Sequence, residues 1–336
     1  MARLAHPHQL VALQERLCRE RDPERMCITV CGGTGCRAFG GQELAAALQA
    51  EVARRNLAGE LEVKVTGCHG LCERGPIVVI QPEGVFYAGV QVEDAAELVV
   101  AAARGATVDR LLYRDPESGE PVVREEDIPF YRRQQRLVLA GNGRIDPTSI
   151  ADYIAIGGYQ ALAKALAQDP EGILEQVEKS GLRGRGGAGF PTGRKWAFTR
   201  QAAGQVKYVI ANGDEGDPGA YMDRSVLEGN PHRVIEGMAI GAYAVGAREG
   251  YLYVRAEYPL AVEHVRTAVA QAEELGLLGD DILGRGFSFH LQVFEGAGAF
   301  VCGEETALLA SIEGRRGQPR PRPPSQLSGG CGAGPR

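Results

Sequence analysis

Four cysteines fall into two close pairs, Cys31 and Cys36 in CGGTGC and Cys68 and Cys72 in CHGLC. Each pair follows a short β-branched run, MCITVC (26–31) and LEVKVT (61–66), so each is expected in a loop at a strand end. Gly32, Gly33 and Gly35 leave the backbone free to wrap an inorganic core and to aim N–H groups at sulfur. Four thiolates so spaced suit a 2Fe–2S rhomb, in which each iron takes two protein ligands. The rival readings are structural zinc, which usually takes tighter knuckles, and a disulfide or inert thiols. Cys18, Cys27 and Cys302 read as small buried hydrophobes, and His69 as a loop residue within reach of sulfur.

A second chemistry is written in glycine. GLRGRGGAGFPTGRKW (181–196) holds six glycines, and Gly184, Gly186 and Gly189 formally match G-x-G-x-x-G. The context is wrong for a dinucleotide turn, which must leave a strand and open a helix. Here the loop follows a helical run, EGILEQVEKS, and Pro191 comes soon after the last glycine. Its glycines can bring backbone N–H groups against a phosphate or lie flat along a ring, while Arg183, Arg185, Arg194 and Lys195 bring positive charge. Phe190 and Trp196 can stack or pack; a mobile surface loop is the bland alternative.

VKYVIANGDEGDPGAYMDR (206–224) reads as a strand running into a turn with Asp214, Glu215, Asp217 and Asp223. Carboxylates at the carboxyl end of a strand can accept from ribose hydroxyls or ring N–H groups. Their mutual repulsion calls for a bound ligand or neighbouring arginines; a solvated acidic turn and a divalent-metal site are the alternatives. FEGAGAFVCGEETALLASIEG (294–314) continues a strand into Gly296, Gly298 and Gly303 around Phe300, then Glu304 and Glu305 at a helix start. Those two acids read equally well as helix caps.

The elements that must position these residues follow from periodicity. The first 112 residues read as α-β-α-β-β-β-α, with a helix from Gln42 to Arg55, a hairpin of PIVVI and GVFYA about Gln-Pro-Glu-Gly, and a closing helix from Glu93 to Arg104. Residues 113–149 are charged, broken by Pro and Gly and poor in periodicity, and read as a linker, either open or packed on a neighbour. Helices and strands resume from Ile150 to roughly Gly314. A length of 336 residues suits two domains. A net charge of −6 with both signs interspersed argues against a nucleic-acid groove, and no apolar run is long enough to span a bilayer. With no signal-peptide pattern at the start, a cytoplasmic protein, at most peripheral to a membrane complex, is expected.

CGGTGC and CHGLC on this α/β pattern resemble the thioredoxin-like 2Fe–2S ferredoxin domain, which implies Cys31, Cys36, Cys68 and Cys72 as cluster ligands. RGRGGAGFPTGRKW, NGDEGDPGAYMDR and GAGAFVCGEETAL, in this order, resemble the FMN- and NADH-binding flavoprotein family of respiratory complex I, the NADH-quinone oxidoreductase. Relatives of that family include NAD-reducing and electron-bifurcating hydrogenases and NAD-linked formate dehydrogenases, and a ferredoxin domain fused in front favours that branch. The implied fold class is α/β: a thioredoxin-like ferredoxin domain (1–112), a linker (113–149), an α/β FMN-binding domain that is not a dinucleotide Rossmann fold (150–324) and an irregular tail (325–336).

By resemblance, Gly184, Arg185, Gly186, Gly187, Gly189, Lys195, Asn212 and Asp214 would hold FMN. Phe190, Lys195, Phe198, Glu215 and Glu305 would face NAD(H), with Glu304 beside it. Asp217 stands where a Glu is usual and Phe300 where a Tyr is usual, as in hydrogenase-type relatives. The implied function is an NADH dehydrogenase module passing hydride between NAD(H) and FMN and single electrons to iron–sulfur clusters. Its implied partners are iron–sulfur subunits and a hydrogenase, formate dehydrogenase or complex I-type catalytic subunit. Hydride transfer needs no general acid or base, so His232, His264 and His290 read as structural.

Full-length relatives add a β-grasp domain and 4Fe–4S ligands after PRPRPP, and those ligands are absent here. SQLSGGCGAGPR at the end is what a GC-rich string for FPAVRGLWGRP can give when read one base late, so a frameshift that leaves Cys331 without meaning is expected. The alternative function is a truncated electron-carrier or assembly module, inert toward NADH.

Overall fold

The computed structural model describes residues 1–321; the irregular tail and Cys331 lie outside them. The chain forms two compact units. Among the described residues, one takes residues 16–153 with Glu228–Asn230, the other residues 1–15, 154–227 and 231–321. The opening helix α1 (Pro7–Glu20) buries Leu10 and Leu13, and residues ahead of it pack in the second unit, where the Leu4 N–H donates to the Leu275 carbonyl at 2.8 Å.

In the first unit β1 (Met26–Cys31), β2 (Leu61–Thr66), β3 (Val78–Gln81) and β4 (Val85–Tyr87) form a sheet of order β2-β1-β3-β4. The central strand β1 is β-branched and buried along its last four residues. It runs parallel to β2, from Met26 opposite Leu61 to Cys31 opposite Thr66, and antiparallel to β3. Parallel pairing in this register delivers the loops after β1 and β2 to the same end of the sheet, so the two cysteine pairs meet. The hairpin of β3 and β4 turns about Gly84, whose φ of +72° suits glycine.

The short α2 (Thr34–Ala38) carries Cys36. One face of α3 (Gly41–Arg54) buries Leu44, Leu48 and Val52, and α4 (Ala95–Ala103) buries Leu98, Val99 and Ala102; both pack into one core with Ile28, Val30 and Val78.

Residues 113–149, expected as a linker, carry structure of their own. β5 (Tyr113–Arg114) and β6 (Pro121–Val122) pair as a hairpin, and α5 (Pro129–Arg132) follows. Tyr113, Ile128 and Tyr131 are buried around Phe86, with ring centroids 6.3 Å from Phe86 to Tyr113 and 5.9 Å to Tyr131. Isolated aromatic anchors leave no periodicity to read, which is why the stretch looks irregular as sequence.

After α6 (Ile150–Ala155), the second unit continues with α7 (Gln160–Ala165), α8 (Pro170–Lys179) and α9 (Thr192–Gln201), ahead of a parallel sheet. Its strands are β7 (Tyr208–Gly213), β8 (Glu249–Arg255) and β9 (His290–Gly296), in that order. α10 (Met222–Gly229) and α11 (Pro231–Val245) join β7 to β8, α12 (Pro259–Leu275) joins β8 to β9, and α13 (Glu305–Ile312) follows β9. α11 is buried on most sides, and Trp196 of α9 lies so close to it that a Cβ on Gly241 would come within 3.1 Å of the indole. Gly193 likewise lets α9 approach α8, where a Cβ would meet the Glu178 backbone at 2.5 Å. The glycine-rich loop therefore joins α8 to α9 and leaves no strand, as its sequence context required.

Candidate functional site

The cysteine loops are tight where a cluster would need them tight. Cys31, Cys36 and Cys68 are buried, and Cys68 Sγ lies 3.6 Å from Cys72 Sγ. Two thiolates on one tetrahedral metal with bonds of about 2.3 Å sit roughly 3.8 Å apart, so this pair already has the span of two ligands on one iron. Cys31 shares hydrogen bonds with both Cys36 and Cys68, which joins the two pairs. A Cβ on Gly33 would fall 2.7 Å from Cys68 Cβ, one on Gly35 3.3 Å from Cys72 Sγ, and one on Gly75 2.7 Å from Cys36 Sγ. The glycines are what permit the four sulfurs to gather.

The Gly70 N–H donates to Cys68 Sγ at 3.3 Å, and the His69 N–H donates to Cys31. Hydrogen bonding to Cys36, then burial, pushes the Cys31 thiol up to about 12, while donation from Cys31 holds Cys36 below its ordinary value. Among the described residues no group of three or more His, Cys, Asp and Glu side chains is arranged to hold a single metal ion. A two-iron rhomb asks instead for two pairs. The donor set and the glycine cradle fit a [2Fe–2S] group.

In the second unit all three strands are parallel, so their carboxyl ends collect the acidic turn after β7, Arg255 at the end of β8 and the second glycine loop after β9. Asn212 Nδ2 donates to the Gly303 carbonyl at 2.9 Å, and a Cβ on Gly303 would touch the Asp214 carbonyl at 3.0 Å. The ring of Phe300 lies where a Cβ on Gly216 would come within 2.5 Å. The structure thus brings Asn212, Asp214, Glu215 and Phe300 together.

Asp214 is the unusual member. Its side chain is only 1% exposed, and neither carboxylate oxygen has a hydrogen-bond partner among the described residues. Arg255 Nε stands 3.9 Å away and also lacks a hydrogen-bond partner. Burial pushes the Asp214 carboxyl above its ordinary value, and Arg255 offsets that only in part. Two bare acceptor oxygens in a buried wall are costly unless a ligand brings donors, which is the fit expected for flavin.

The acids beside it divide by role. Glu215 accepts from the backbone N–H groups of Met222 at 2.5 Å, Arg224 at 3.1 Å and Asp223 at 3.2 Å, so it holds the first turn of α10. Burial, then the charge of Glu215, pushes Asp223 up to about 6. Glu304 caps α13 by accepting from Thr306 and Ala307 N–H, the capping alternative already open from sequence. Asp217 and Glu305 are exposed.

The arginine–glycine loop closes as a small hairpin: Gly184 N–H donates to the Phe190 carbonyl at 2.9 Å and Arg183 Nε to Gly189 O at 2.5 Å. Gly187 and Gly189 have φ of +94° and +60°. Gly184, Arg185, Gly186, Lys195, Phe190 and Phe198 are exposed, the two rings by 45% and 41%, so donors, cations and aromatic faces are free for a ligand.

Sequence reasoning asked for an arginine near the acids but did not name Arg255, which also donates to the Glu215 carbonyl and to Glu257 at 2.9 Å. Its signal is a lone cation that ends the buried run GYLYV of β8.

Residues 17–103 match the model of the thioredoxin-like [2Fe–2S] ferredoxin, and residues 177–331 that of the Nuo51 FMN-binding domain. This chain joins a thioredoxin-like [2Fe–2S] ferredoxin domain to a Nuo51 FMN-binding domain. Its cofactors are accordingly the [2Fe–2S] cluster and FMN. Among curated relatives, the NADP-reducing hydrogenase subunit HndC of Solidesulfovibrio fructosivorans is 53% identical over 59% of this chain and 40% of its own length. An NADH-quinone oxidoreductase subunit of Rhizobium meliloti is 52% identical over 55% of this chain and 44% of its own length. The alignments thus span less than half of those relatives. A solved NAD+-reducing [NiFe]-hydrogenase aligns over 98% of this chain and 53% of that one, at 28% identity and a TM-score of 0.49.

Proposed function

We propose that this ferredoxin–Nuo51 chain is the NADH-handling module of a multisubunit oxidoreductase. In this reading FMN supplies hydride exchange with NAD(H) and release of single electrons toward iron–sulfur centres. The observation that carries it is Asp214: a buried carboxylate with no hydrogen bond to either oxygen among the described residues, at the carboxyl ends of parallel strands beside Asn212 and Gly303. Such a group is kept for a ligand that donates hydrogen bonds.

Around it the chain's residues divide the labour. Backbone N–H groups of Arg185 to Gly189, on the turn that the Gly184 N–H closes, bind phosphate with the Arg185 and Lys195 side chains; Asn212 and Asp214 orient the flavin's polar edge; Phe190, Phe198 and Phe300 offer aromatic faces to the nicotinamide nucleotide. Glu215 and Glu304 fix the helix starts on which those loops depend, with Glu305 and Asp217 open to the nucleotide. No proton need move at a side chain.

Relatives named as hydrogenase and quinone-oxidoreductase subunits support iron–sulfur and catalytic partner subunits, and do not favour an NADH-inert carrier. No helix among the described residues is long and apolar enough to cross a membrane, which suits a cytoplasmic or peripheral subunit.

The test is a titration of the full chain with FMN, read by quenching of flavin fluorescence. The chain binds FMN saturably, and Asp214→Asn weakens binding at least tenfold, the worth of about 1.5–3 kcal/mol for a hydrogen bond to a charged group. Equal affinity in the two proteins would remove the carrying observation.

A further inference from the structure

The loop that carries Cys68 is held from outside the ferredoxin fold. His69 follows Cys68, its side chain is fully buried, and its ring meets Glu125 Oε1 at 2.9 Å through Nδ1. Glu125 belongs to the 113–149 stretch, beyond residues 17–103 that match the ferredoxin model. Burial pushes Glu125 upward, but its bond to His69 and the charges of His69, Arg136 and Arg144 outweigh that and hold it below its ordinary value. An ionised carboxylate only accepts, so Nδ1 of His69 donates. Two further residues of the same stretch close on the loop. Asn142 Nδ2 donates to the Cys68 carbonyl at 3.1 Å, and Gly143 packs on the imidazole so closely that a Cβ would come within 2.6 Å. The backbone so pinned is the one whose N–H groups reach sulfur: His69 to Cys31 and Gly70 to Cys68.

We propose that Glu125, through His69, is a positioning residue for the [2Fe–2S] centre: it sets the backbone of the 68–70 loop and thereby the two N–H to sulfur hydrogen bonds that tune the cluster's potential. Hydrogen bonds to cluster sulfur favour the more negative, reduced state and raise the midpoint potential. Loosening the pin lowers it. The charge of Glu125 acts in the opposite sense, because removing a nearby negative charge raises the potential. Two mild substitutions separate the effects. Glu125→Asp keeps the charge and withdraws the carboxylate by one methylene, whereas Glu125→Gln keeps the reach and an acceptor oxygen but loses the charge.

The inference rests on the assignment of a [2Fe–2S] ferredoxin domain, so the full chain reconstituted with iron and sulfide is first checked for its reduced EPR signal. No signal in the wild type would defeat that assignment itself. With the signal present, redox titration by EPR is expected to show Glu125→Asp shifted negative, with altered g values, by up to a tenfold change in the reduction equilibrium, about 59 mV. Glu125→Gln, which keeps the pin and loses only the charge, is expected to shift the opposite way, positive. The proposal is overturned if Glu125→Asp titrates as the wild type, or if Glu125→Gln shifts positive while Glu125→Asp does not move.

Discussion

At the scale of single residues, the two candidate centres are built by opposite means. The cluster loops are crowded: Gly33 abuts Cys68 so tightly that one methyl group would displace it. Gly33→Ala should therefore cost the assembled loop about 1–3 kcal/mol by overpacking and lower the iron and sulfide content after reconstitution. Gly59→Ala, where a Cβ meets nothing within 4 Å, should leave both unchanged. The wall proposed for flavin is under-satisfied instead. Asp214 has no hydrogen-bond donor on either oxygen, and burial, offset only in part by Arg255, pushes its carboxyl upward. Asp214→Asn should leave the FMN-free chain no less stable in denaturant melts even as FMN affinity falls, the expected exchange between stability and a ligand-ready group. Both residue types were legible in the sequence, because cysteine spacing and acids after a strand advertise chemistry. The capping work of Glu215 and Glu304 was harder to assign, since an acid at a helix start serves a cap and a ligand equally well until its hydrogen bonds are seen.

At the scale of elements, a buried polar network ties the start of α7 to α11 and α12. His232 of α11 bonds Tyr159 Oη at 2.9 Å and Gln271 of α12 at 3.1 Å, while Glu236 accepts from the Tyr159 and Leu162 N–H groups at the start of α7. Burial presses His232 down from 6.5 to about 4. The unfolded chain therefore takes up a proton near pH 6.5 that the folded chain refuses until about pH 4. Stability from this group is full above pH 6.5 and lost as the pH falls toward 4, about 3 kcal/mol in all. Denaturant melts across that range should show the loss, and His232→Gln should flatten it. The sequence reading of this histidine as structural fits that network. Periodic elements were equally legible: α3, expected over Gln42–Arg55, spans Gly41–Arg54, and the β3–β4 hairpin turns where Gln-Pro-Glu-Gly put it. The 113–149 stretch was not, because its order comes from separated anchors such as Tyr113, Ile128 and Tyr131, which no repeat announces.

At the scale of the whole chain, two separately cored units each present loops at a strand end, to which the proposed function assigns single electrons in one and hydride in the other. What joins them functionally is a claim about redox chemistry, and it was legible as a succession of motifs, CGGTGC and CHGLC before RGRGGAGFPTGRKW. Partner identity was not, because the residues that choose hydrogen, formate or quinone lie on other subunits in this reading. The most direct measurement is an anaerobic titration of the full chain, reconstituted with FMN, iron and sulfide, with NADH, followed by visible absorption and EPR together. The flavin band is expected to bleach and a reduced [2Fe–2S] signal to grow with it. A chain that holds both cofactors yet keeps its flavin oxidised through excess NADH would contradict the proposed function.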